Sequence, residues 1–303
     1  MATAVRAASP ATGAIDKTGL LAERCGSEPI PYGASIVKVY ISADIEGTAG
    51  ITHWDEADRN NPAYPEFREA MTREVVAACE GAVAAGATDI LIKDAHDSGR
   101  NIYVSQLPEC ARIVRGWSGH PYSMVQELDE SFDALVLVGY HSRAGAEGNP
   151  LAHTMSLRVA EMRINGEPAS EFMLHTYAAA TLGVPVAFVS GDEGLCADVK
   201  KVNPKIGTYA TSRGVGPSTL SVSPARAQRG IREGINAALQ EDLASKKIRL
   251  PNAFTLQIKY TNPVNAYQAS FYPGAKHLGD RTIGFETGDF FEVMRAVKFT
   301  LRD

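Results

Sequence analysis

Short apolar segments alternate with longer amphipathic ones through the first two thirds of the chain, and this alternation constrains the fold most. The apolar segments are residues 37–43, 89–96, 134–140 and 185–192, all rich in Val, Ile and Leu. Residues 66–85 and 170–182 carry apolar side chains at helical spacing. Near-continuous apolar strands that alternate with helices are typical of a parallel sheet covered on both faces. We therefore predict an α/β fold with a doubly wound, mostly parallel sheet.

The last third of the chain has a different pattern, which predicts a second, smaller α+β lobe. Helices are expected over residues 224–239, 263–270 and 290–301, and strands over 254–260 and 282–285. We place the metal-binding α/β lobe at residues 36–205 and the α+β lobe at 206–303. Residues 1–35 are rich in small residues and Pro without a sustained period, so we expect a flexible N-terminal extension there.

Composition excludes several classes of function. The 303 residues are 45% hydrophobic, enough for a substantial core, and carry a net charge of −5 with scattered Lys and Arg. No basic stripe suited to nucleic acid is present, and no apolar run is long enough to cross a membrane. The four cysteines have no short paired spacing, so we expect free thiols and a cytoplasmic location.

Two acidic residues, Asp44 and Glu46, stand where the first apolar segment ends. Side chains two residues apart leave the same face of a strand, so both carboxylates are expected to point in one direction. A bound cation would relieve their repulsion, and Gly47 and Gly50 leave open backbone beside it. The alternative that stays open is a strand that runs into an acidic, solvated loop.

Further polar residues follow the other apolar segments. His96 and His141 stand at the ends of two of them, and Glu171 opens a predicted helix. The carboxyl ends of parallel strands share one edge of the sheet, so these side chains are expected to meet there. Carboxylate oxygens and imidazole nitrogens together suit Zn²⁺. With Asp44 and Glu46 they exceed the ligands of one tetrahedral zinc, which predicts two zinc ions bridged by Asp44.

Each of these residues also has a simpler interpretation. A single histidine at a strand end is more often a hydrogen-bonded structural residue, and an acid such as Glu171 is favoured in the first turn of any helix. Asp94 and Asp192 lie at strand ends as well, and we interpret them as orienting partners of the imidazoles. By residue type and spacing alone, a metallohydrolase and a non-metal binding protein of this fold both remain open.

Short motifs around these residues resemble, in the same order, those of the D-aminopeptidase family of self-compartmentalising zinc peptidases. The motifs are SADIEG (42–47), KDAHDS (93–98), VGYHSRA (138–144), HTM (153–155), NGEPASE (165–171) and VSGD (189–192). Each motif is short, but their common order is specific. The resemblance covers about residues 36–303, and it implies that Asp44 bridges two zinc ions. It further implies that Glu46 and His141 complete one zinc site and that His96 and Glu171 complete the other.

The resemblance also implies a catalytic role for His153. The family role is that of a nucleophile, and a general base beside a metal-bound water is equally open on physical grounds. The implied activity is the removal of N-terminal residues from short peptides or amino-acid amides. The implied assembly is a homodecamer of two stacked pentameric rings, with the sites facing an inner chamber.

Two other functions remain open at this point. Paired carboxylate–histidine sites also cleave phosphate esters, so a metal-dependent phosphoesterase is one of them. Such a site would need cationic clamps, for which Arg100, Arg143 and Lys93 are the candidates. The other is a zinc-stabilised binding or assembly protein that is not an enzyme.

Overall fold

The computed structural model of the protein describes residues 37–301, so the predicted extension at residues 1–35 lies outside the described residues. The strands are β1 Lys38–Ala43, β2 Asp89–Asp94, β3 Ala111–Val114, β4 Ala134–Tyr140, β5 Val159–Ile164, β6 Glu167–Pro168, β7 Val186–Asp192, β8 Gly207–Val215, β9 Ser218–Ser221, β10 Phe254–Tyr260, β11 Lys276–Gly279 and β12 Thr282–Thr287. The α-helices are α1 Tyr64–Ala84, α2 Glu171–Thr181, α3 Glu193–Val202, α4 Pro224–Gln240, α5 Pro263–Ala269 and α6 Phe290–Thr300.

The larger sheet has seven strands in the order β3-β2-β1-β4-β7-β8-β9. All neighbours are parallel except β8 and β9, which pair antiparallel. The chain moves outward from β1 through β2 to β3, and then returns to place β4 on the other side of β1. The direction of winding therefore reverses between β1 and β4, and a crevice at the carboxyl ends of such strands is the usual ligand position in open α/β sheets.

Helices cover both faces of this sheet. Val39 and Ile41 of β1 pack in one core cluster with the apolar face of α1 and with Ile231 and Ile235 of α4. Tyr40 points to the opposite face and belongs to a second cluster that includes residues of α2 and α3. This alternation buries successive side chains of one strand on both faces. The predicted doubly wound, mostly parallel α/β fold is confirmed.

The smaller sheet has five strands in the order β11-β12-β10-β5-β6, all antiparallel. Helix α6 packs against β10 and β12 of this sheet, and α2 packs against both α6 and β4 of the larger sheet. The strands of the two sheets alternate along the chain. Strands β5 and β6 of the smaller sheet precede residue 206, whereas β8 and β9 of the larger sheet follow it. The division into lobes at residues 205 and 206 stays a prediction, and sheet membership does not follow it.

The predicted helices and strands are all present, with ends shifted by one or two residues. The strand expected over 89–96 ends at Asp94, so His96 lies in the loop that follows. Strands β3, β5, β6, β8, β9 and β11 and helix α3 were not predicted. Several of these are short or carry few β-branched apolar residues, and α3 begins directly after β7 with Asp192 as its N-cap. Asp192 is both the last residue of β7 and the N-cap of α3, so no loop residues in the sequence mark where the helix begins.

Of the three cysteines within residues 37–301, one differs from the expectation of free thiols. Cys79 and Cys196 are free and buried, whereas Cys110 is disulfide-bonded. Widely spaced cysteines give no pairing signal in a sequence, because only the fold decides which of them approach. Over residues 37–301, no helix combines the length and apolar character needed to span a bilayer.

The loop after β1 is anchored by a buried acid on α1. Glu74 accepts a hydrogen bond from the Ala49 N–H through Oε1 at 2.9 Å, and its Oε2 has no hydrogen-bond partner among the described residues. Burial raises the pKa of Glu74 to about 8. The side chain is therefore mostly protonated at neutral pH in the folded protein.

We predict that Glu74 makes stability fall as the pH rises. Its folded-state pKa lies above the ordinary value of 4.5, so its contribution is fully present below pH 4.5 and is lost as the pH rises towards 8. Replacing Glu74 by Gln should remove this dependence, which is worth a few kcal/mol. Urea unfolding at pH 5, 7 and 8 gives the difference between the free energies of unfolding of the two proteins. Any loss of metal with pH affects both proteins alike, so it cancels in that difference.

Glu80→Gln is the matched control, because Glu80 is an exposed acid on the same helix that pairs with Arg232. The control should follow the wild type at every pH. Equal pH slopes for the wild type and Glu74→Gln would contradict the assignment.

Candidate metal centre

Six side chains selected from the sequence meet at the carboxyl edge of the larger sheet. They are Asp44, Glu46, His96, His141, His153 and Glu171. Five of the six are at most 7% exposed, and His153 is partly buried. Asp44 follows β1, His141 follows β4, and Glu171 is the first residue of α2. The structure thus brings together side chains that are far apart in the chain.

Close backbone contact fixes the turn that carries the two acids. The Asp44 N–H donates to the Val138 carbonyl at 2.9 Å, and the Gly47 N–H donates to the Gly139 carbonyl at 2.8 Å. A Cβ atom at Gly47 would lie 1.8 Å from the carbonyl oxygen of Tyr140. Only glycine allows this approach. Glu46 lies in a turn and not in the strand, so the turn, rather than strand alternation, brings its carboxylate beside Asp44.

The Asp44 carboxylate lies between two histidines. Its Oδ1 is 3.5 Å from Nδ1 of His96, and its Oδ2 is 3.5 Å from Nε2 of His141. Glu46 Oε1 lies 3.1 Å from the same nitrogen of His96, and Glu171 Oε2 lies 3.4 Å from the same nitrogen of His141. Two groups of ligand atoms therefore share one carboxylate, with one oxygen directed to each group.

Each of the three imidazoles is held by a backbone carbonyl on the side away from the acids. The contacts are His96 Nε2 to Ala57 O at 2.9 Å, His141 Nδ1 to Ser142 O at 2.9 Å, and His153 Nδ1 to Leu151 O at 3.0 Å. A ring nitrogen that faces a carbonyl must carry the proton, because the carbonyl can only accept. In the neutral imidazole, the other nitrogen then presents a lone pair to the carboxylates.

This arrangement fits bound metal ions. Lone pairs on nitrogen and ionised carboxylate oxygens are both acceptors, so a cation or a proton must lie between them. His141 Nε2 and Glu46 Oε2 are buried and lack hydrogen-bond partners among residues 37–301. Tetrahedral zinc, with bonds of about 2.0–2.1 Å, holds its ligand atoms about 3.3 Å apart. The distances of 3.1–3.5 Å between these nitrogens and oxygens match that spacing.

The pKa values record how strongly the buried groups interact. Burial, and then the Glu46 carboxylate, raise the pKa of Asp44 well above its ordinary value. Burial alone would lower the pKa of His96, but Glu46 and Asp44 raise it well above the ordinary value. The pKa of Glu171 is about 2, because the neighbouring His141 outweighs the effect of burial. Metal ions and protons therefore compete for the same ligand atoms.

His153 lies at the side of this cluster. Its ring stacks on that of His141 with centroids 4.3 Å apart and planes at 11°, and Trp54 packs edge-on against it. Its Nε2 is 3.5 Å from Glu171 Oε1. Burial and the adjacent His141 lower the pKa of His153, so its imidazole is neutral at pH 7. A neutral imidazole with a lone pair directed into the site can accept a proton.

The division of the ligands between two zinc sites that the resemblance implies stays a prediction. That arrangement places Glu46 with His141 and His96 with Glu171. The shortest nitrogen–oxygen distances join His96 to Glu46 and His141 to Glu171, and Glu46 also lies in one group of possible ligands with His141 and His153. Sequence order alone cannot decide such a pairing, because it depends on how three strand ends lie relative to one another.

The predicted orienting role of Asp94 and Asp192 is wrong in its detail. Asp94 accepts hydrogen bonds from the Ile102 N–H and the Asn101 side chain, each at 2.8 Å, and not from an imidazole. Asp192 accepts from the Ser142 N–H at 2.6 Å and from the Leu195 N–H at 2.8 Å. Both acids therefore fix the backbone on which a histidine stands, while carbonyl groups orient the rings.

Two asparagines of the site were missed in the sequence. Asn101 donates to the His96 carbonyl at 2.6 Å, and Asn149 donates to the Glu46 carbonyl at 2.8 Å. Both are buried in loops. Asparagine is common in turns for local reasons, so its presence in a sequence does not signal a role in holding a neighbouring loop.

Two cavities reach the cluster from different sides, with volumes of about 420 Å³ and 430 Å³. Both are lined by Glu46, His96, Asp97, His153 and Met155. The first extends to Trp117 and to α6, and the second extends to Trp54, Asp58 and Asn60. A substrate therefore has room on both sides of the predicted metal ligands.

Comparison with known proteins gives consistent results. The sequence profile of peptidase family M55, described as D-aminopeptidase, matches residues 37–299. A D-aminopeptidase of Bacillus subtilis (strain 168) is 31% identical over 263 residues, which are 86% of this chain and 95% of that relative. The solved structure of the Zn-dependent D-aminopeptidase DppA from Bacillus subtilis, a self-compartmentalizing protease, has a TM-score of 0.81 and 29% identity. The similarity covers 87% of this chain and 96% of DppA.

These comparisons confirm the predicted family and the prediction of a zinc-dependent aminopeptidase. The groups of His, Asp and Glu around Asp44 agree with zinc as the cofactor. The roles assigned to individual residues and the number of metal ions stay predictions. With a profile match that spans nearly all the described residues and a relative above 30% identity, this chain belongs to the D-aminopeptidase family.

Proposed function

We propose that this enzyme removes an N-terminal D-amino acid from short peptides or amino-acid amides at a centre of two zinc ions. Asp44, Glu46, His96, His141 and Glu171 would hold the two ions, with Asp44 shared between them. The observation that carries the proposal is the Asp44 carboxylate, whose two oxygens face the lone pairs of two different histidines. When bound, zinc polarises a carbonyl group and lowers the pKa of water.

The chain's own residues then manage orientation and protons. The carbonyl groups of Ala57 and Ser142 direct the other ring nitrogens of His96 and His141 inwards, where a metal ion would displace the proton from each of them. His153, neutral at pH 7 and fixed by the Leu151 carbonyl, presents Nε2 to the reacting groups. It acts either as a general base or as the nucleophile that the family resemblance implies.

The cations expected for the phosphoesterase alternative do not line the two cavities, although a different cation, Lys298, lines the first. Lys93, Arg100 and Arg143 were its candidate clamps, and none of them lines either cavity. Lys93 is fully buried and donates to the Gly116 carbonyl at 2.6 Å. Arg143 donates to the Ala144 carbonyl at 3.2 Å.

Replacing Asp44 by Ala should remove both zinc ions and abolish hydrolysis of D-alanyl amides. Each of the two groups of ligands would then lack the Asp44 carboxylate, which the two groups share. Zinc per chain, measured by mass spectrometry on purified protein, tests this directly. Asp198→Ala is the control, because Asp198 is an acid of α3 that pairs with Lys201 away from the site. Wild-type zinc content in the Asp44→Ala protein would contradict the bridging role.

Replacing His153 by Ala should leave zinc content unchanged and lower kcat by roughly 10²–10⁴-fold, the usual contribution of a positioned acid or base. Steady-state kinetics with a D-alanyl amide, beside a zinc measurement, separates catalysis from metal binding. His277→Ala, which changes an exposed histidine of β11, serves as the matched control. An unchanged kcat would exclude His153 from the reaction.

We propose that the chain assembles as a homodecamer of two stacked pentameric rings. The support is the similarity to DppA, a self-compartmentalizing protease, over nearly the whole length of that protein. Sedimentation velocity should then give the mass of a decamer of 32.4 kDa chains. A monomer or dimer across micromolar concentrations would contradict the assembly.

We propose the cytoplasm as the location of the enzyme. The buried free thiols of Cys79 and Cys196 agree with a reducing compartment, whereas the disulfide at Cys110 is typical of an oxidising one. Cell fractionation should recover the enzyme with cytoplasmic markers. Recovery with markers of an oxidising compartment would contradict the proposal.

A further inference from the structure

His153 lies in a loop whose backbone is anchored but whose imidazole ring needs support of its own. Thr154 ties the loop to its surroundings, since its hydroxyl accepts from the Ala144 N–H at 3.1 Å and donates to the Ala169 carbonyl at 3.2 Å. Rotation about the side-chain bonds of His153 remains. The hydrogen bond to the Leu151 carbonyl is local, because it spans only two residues. Contacts with side chains from elsewhere in the chain therefore decide where the ring lies.

Two rings from other parts of the chain contact this imidazole. The ring of His141 is stacked on that of His153, with planes at 11° and centroids 4.3 Å apart. The indole of Trp54 is inclined at 68° to the His153 ring, with centroids 5.3 Å apart. Stacked rings can slide over one another, so the inclined indole restricts a movement that the stack alone allows. The His153 ring is thus confined by two contacts of different geometry.

Trp54 is fixed independently of His153. Its side chain packs against the core cluster formed by β1, α1 and α4. It opens one turn of 3₁₀ helix, Trp54–Glu56. Glu56 holds the start of this turn, because its Oε2 accepts from the Thr52 N–H at 2.6 Å and from the His53 N–H at 3.0 Å. The indole can therefore restrain a neighbouring ring while its own backbone stays in place.

The same turn also reaches one of the predicted metal ligands. Ala57 follows the turn, and its N–H donates to the Trp54 carbonyl at 3.0 Å. The Ala57 carbonyl in turn accepts from Nε2 of His96 at 2.9 Å. One short segment thus contacts both His153 and His96, and it sets the position of the first relative to the second.

We propose that Trp54 is a positioning residue for the reaction, which holds Nε2 of His153 in place beside the metal ligands. This inference rests on the catalytic role proposed above for His153. Trp54 also lines the second cavity, so a wall that only contacts substrate is the competing role. The two roles differ in their kinetics, because a misplaced His153 lowers kcat whereas the loss of a binding wall raises KM.

The test replaces Trp54 by Leu, which keeps an apolar contact with the core but removes the ring, and by Phe, which keeps a ring. Trp54→Leu should lower kcat on a D-alanyl amide by about ten- to a hundredfold with little change in KM, because a small displacement of a reacting group has effects of that size. Trp54→Phe should recover most of this loss. Both variants should keep the zinc content of the wild type, and urea unfolding shows that they are folded.

A double variant measures whether Trp54 acts through His153. In the His153→Ala protein, which already lacks the imidazole, Trp54→Leu should cause no further loss of kcat. The same fold loss in both backgrounds would show a general structural defect and would overturn the proposal. Asp55→Asn is the matched control, because it changes an exposed side chain of the same turn that lines neither cavity. Its kcat should equal that of the wild type.

The outcomes separate this inference from the proposed function. A Trp54→Leu protein with the wild-type kcat, or with a change confined to KM, would overturn the positioning role alone. An unchanged kcat in His153→Ala would remove both the catalytic role of His153 and the inference built on it. A zinc-loaded wild type that does not cleave D-alanyl amides would contradict the aminopeptidase proposal itself.

Discussion

The site depends on one electrostatic constraint, which is that buried carboxylate oxygens face imidazole nitrogens at 3.1–3.5 Å, so a proton or a metal ion must lie between them. Asp44 is the centre of this arrangement, because each of its oxygens lies 3.5 Å from a different histidine. Buried acceptors without a donor or cation are costly, so a fold that keeps several of them together must bind a compensating charge. Two divalent cations, as proposed, would satisfy the whole group at once, and their binding would stabilise the strand ends that supply the ligands.

The contacts that hold this cluster in place are mainly hydrogen bonds of backbone groups in the loops that carry the predicted ligands. The turn after β1 donates N–H groups to β4, and Gly47 permits an approach that any side chain would prevent. Asp94 and Asp192 accept hydrogen bonds from backbone N–H groups of the loops that carry His96 and His141. Ring orientation is then set by single carbonyl groups. Such rigid loops keep lone pairs aligned without placing further charge beside the metal ligands.

One wall of the first cavity is formed by α6, which packs on the smaller sheet. Helix α6 packs against β10 and β12, and its last turn places Lys298 on the cavity wall. The metal ligands come from the larger sheet and α2, so the reacting end and the far end of the cavity belong to different layers of the fold.

The sequence by itself determined the parallel sheet and the six residues of the predicted centre. Apolar segments that end on Asp44, His96 and His141 must place those side chains at one edge, because parallel strands share their carboxyl ends. Only the tertiary structure decided how close the predicted ligands lie to one another, which ring nitrogen each histidine directs to the carboxylates, and that Lys298 shares a cavity with Trp117. These features depend on distances of a few ångströms between segments that are remote in the chain. Local propensity and periodicity carry no information about such distances, because they are fixed by packing and by backbone hydrogen bonds between loops.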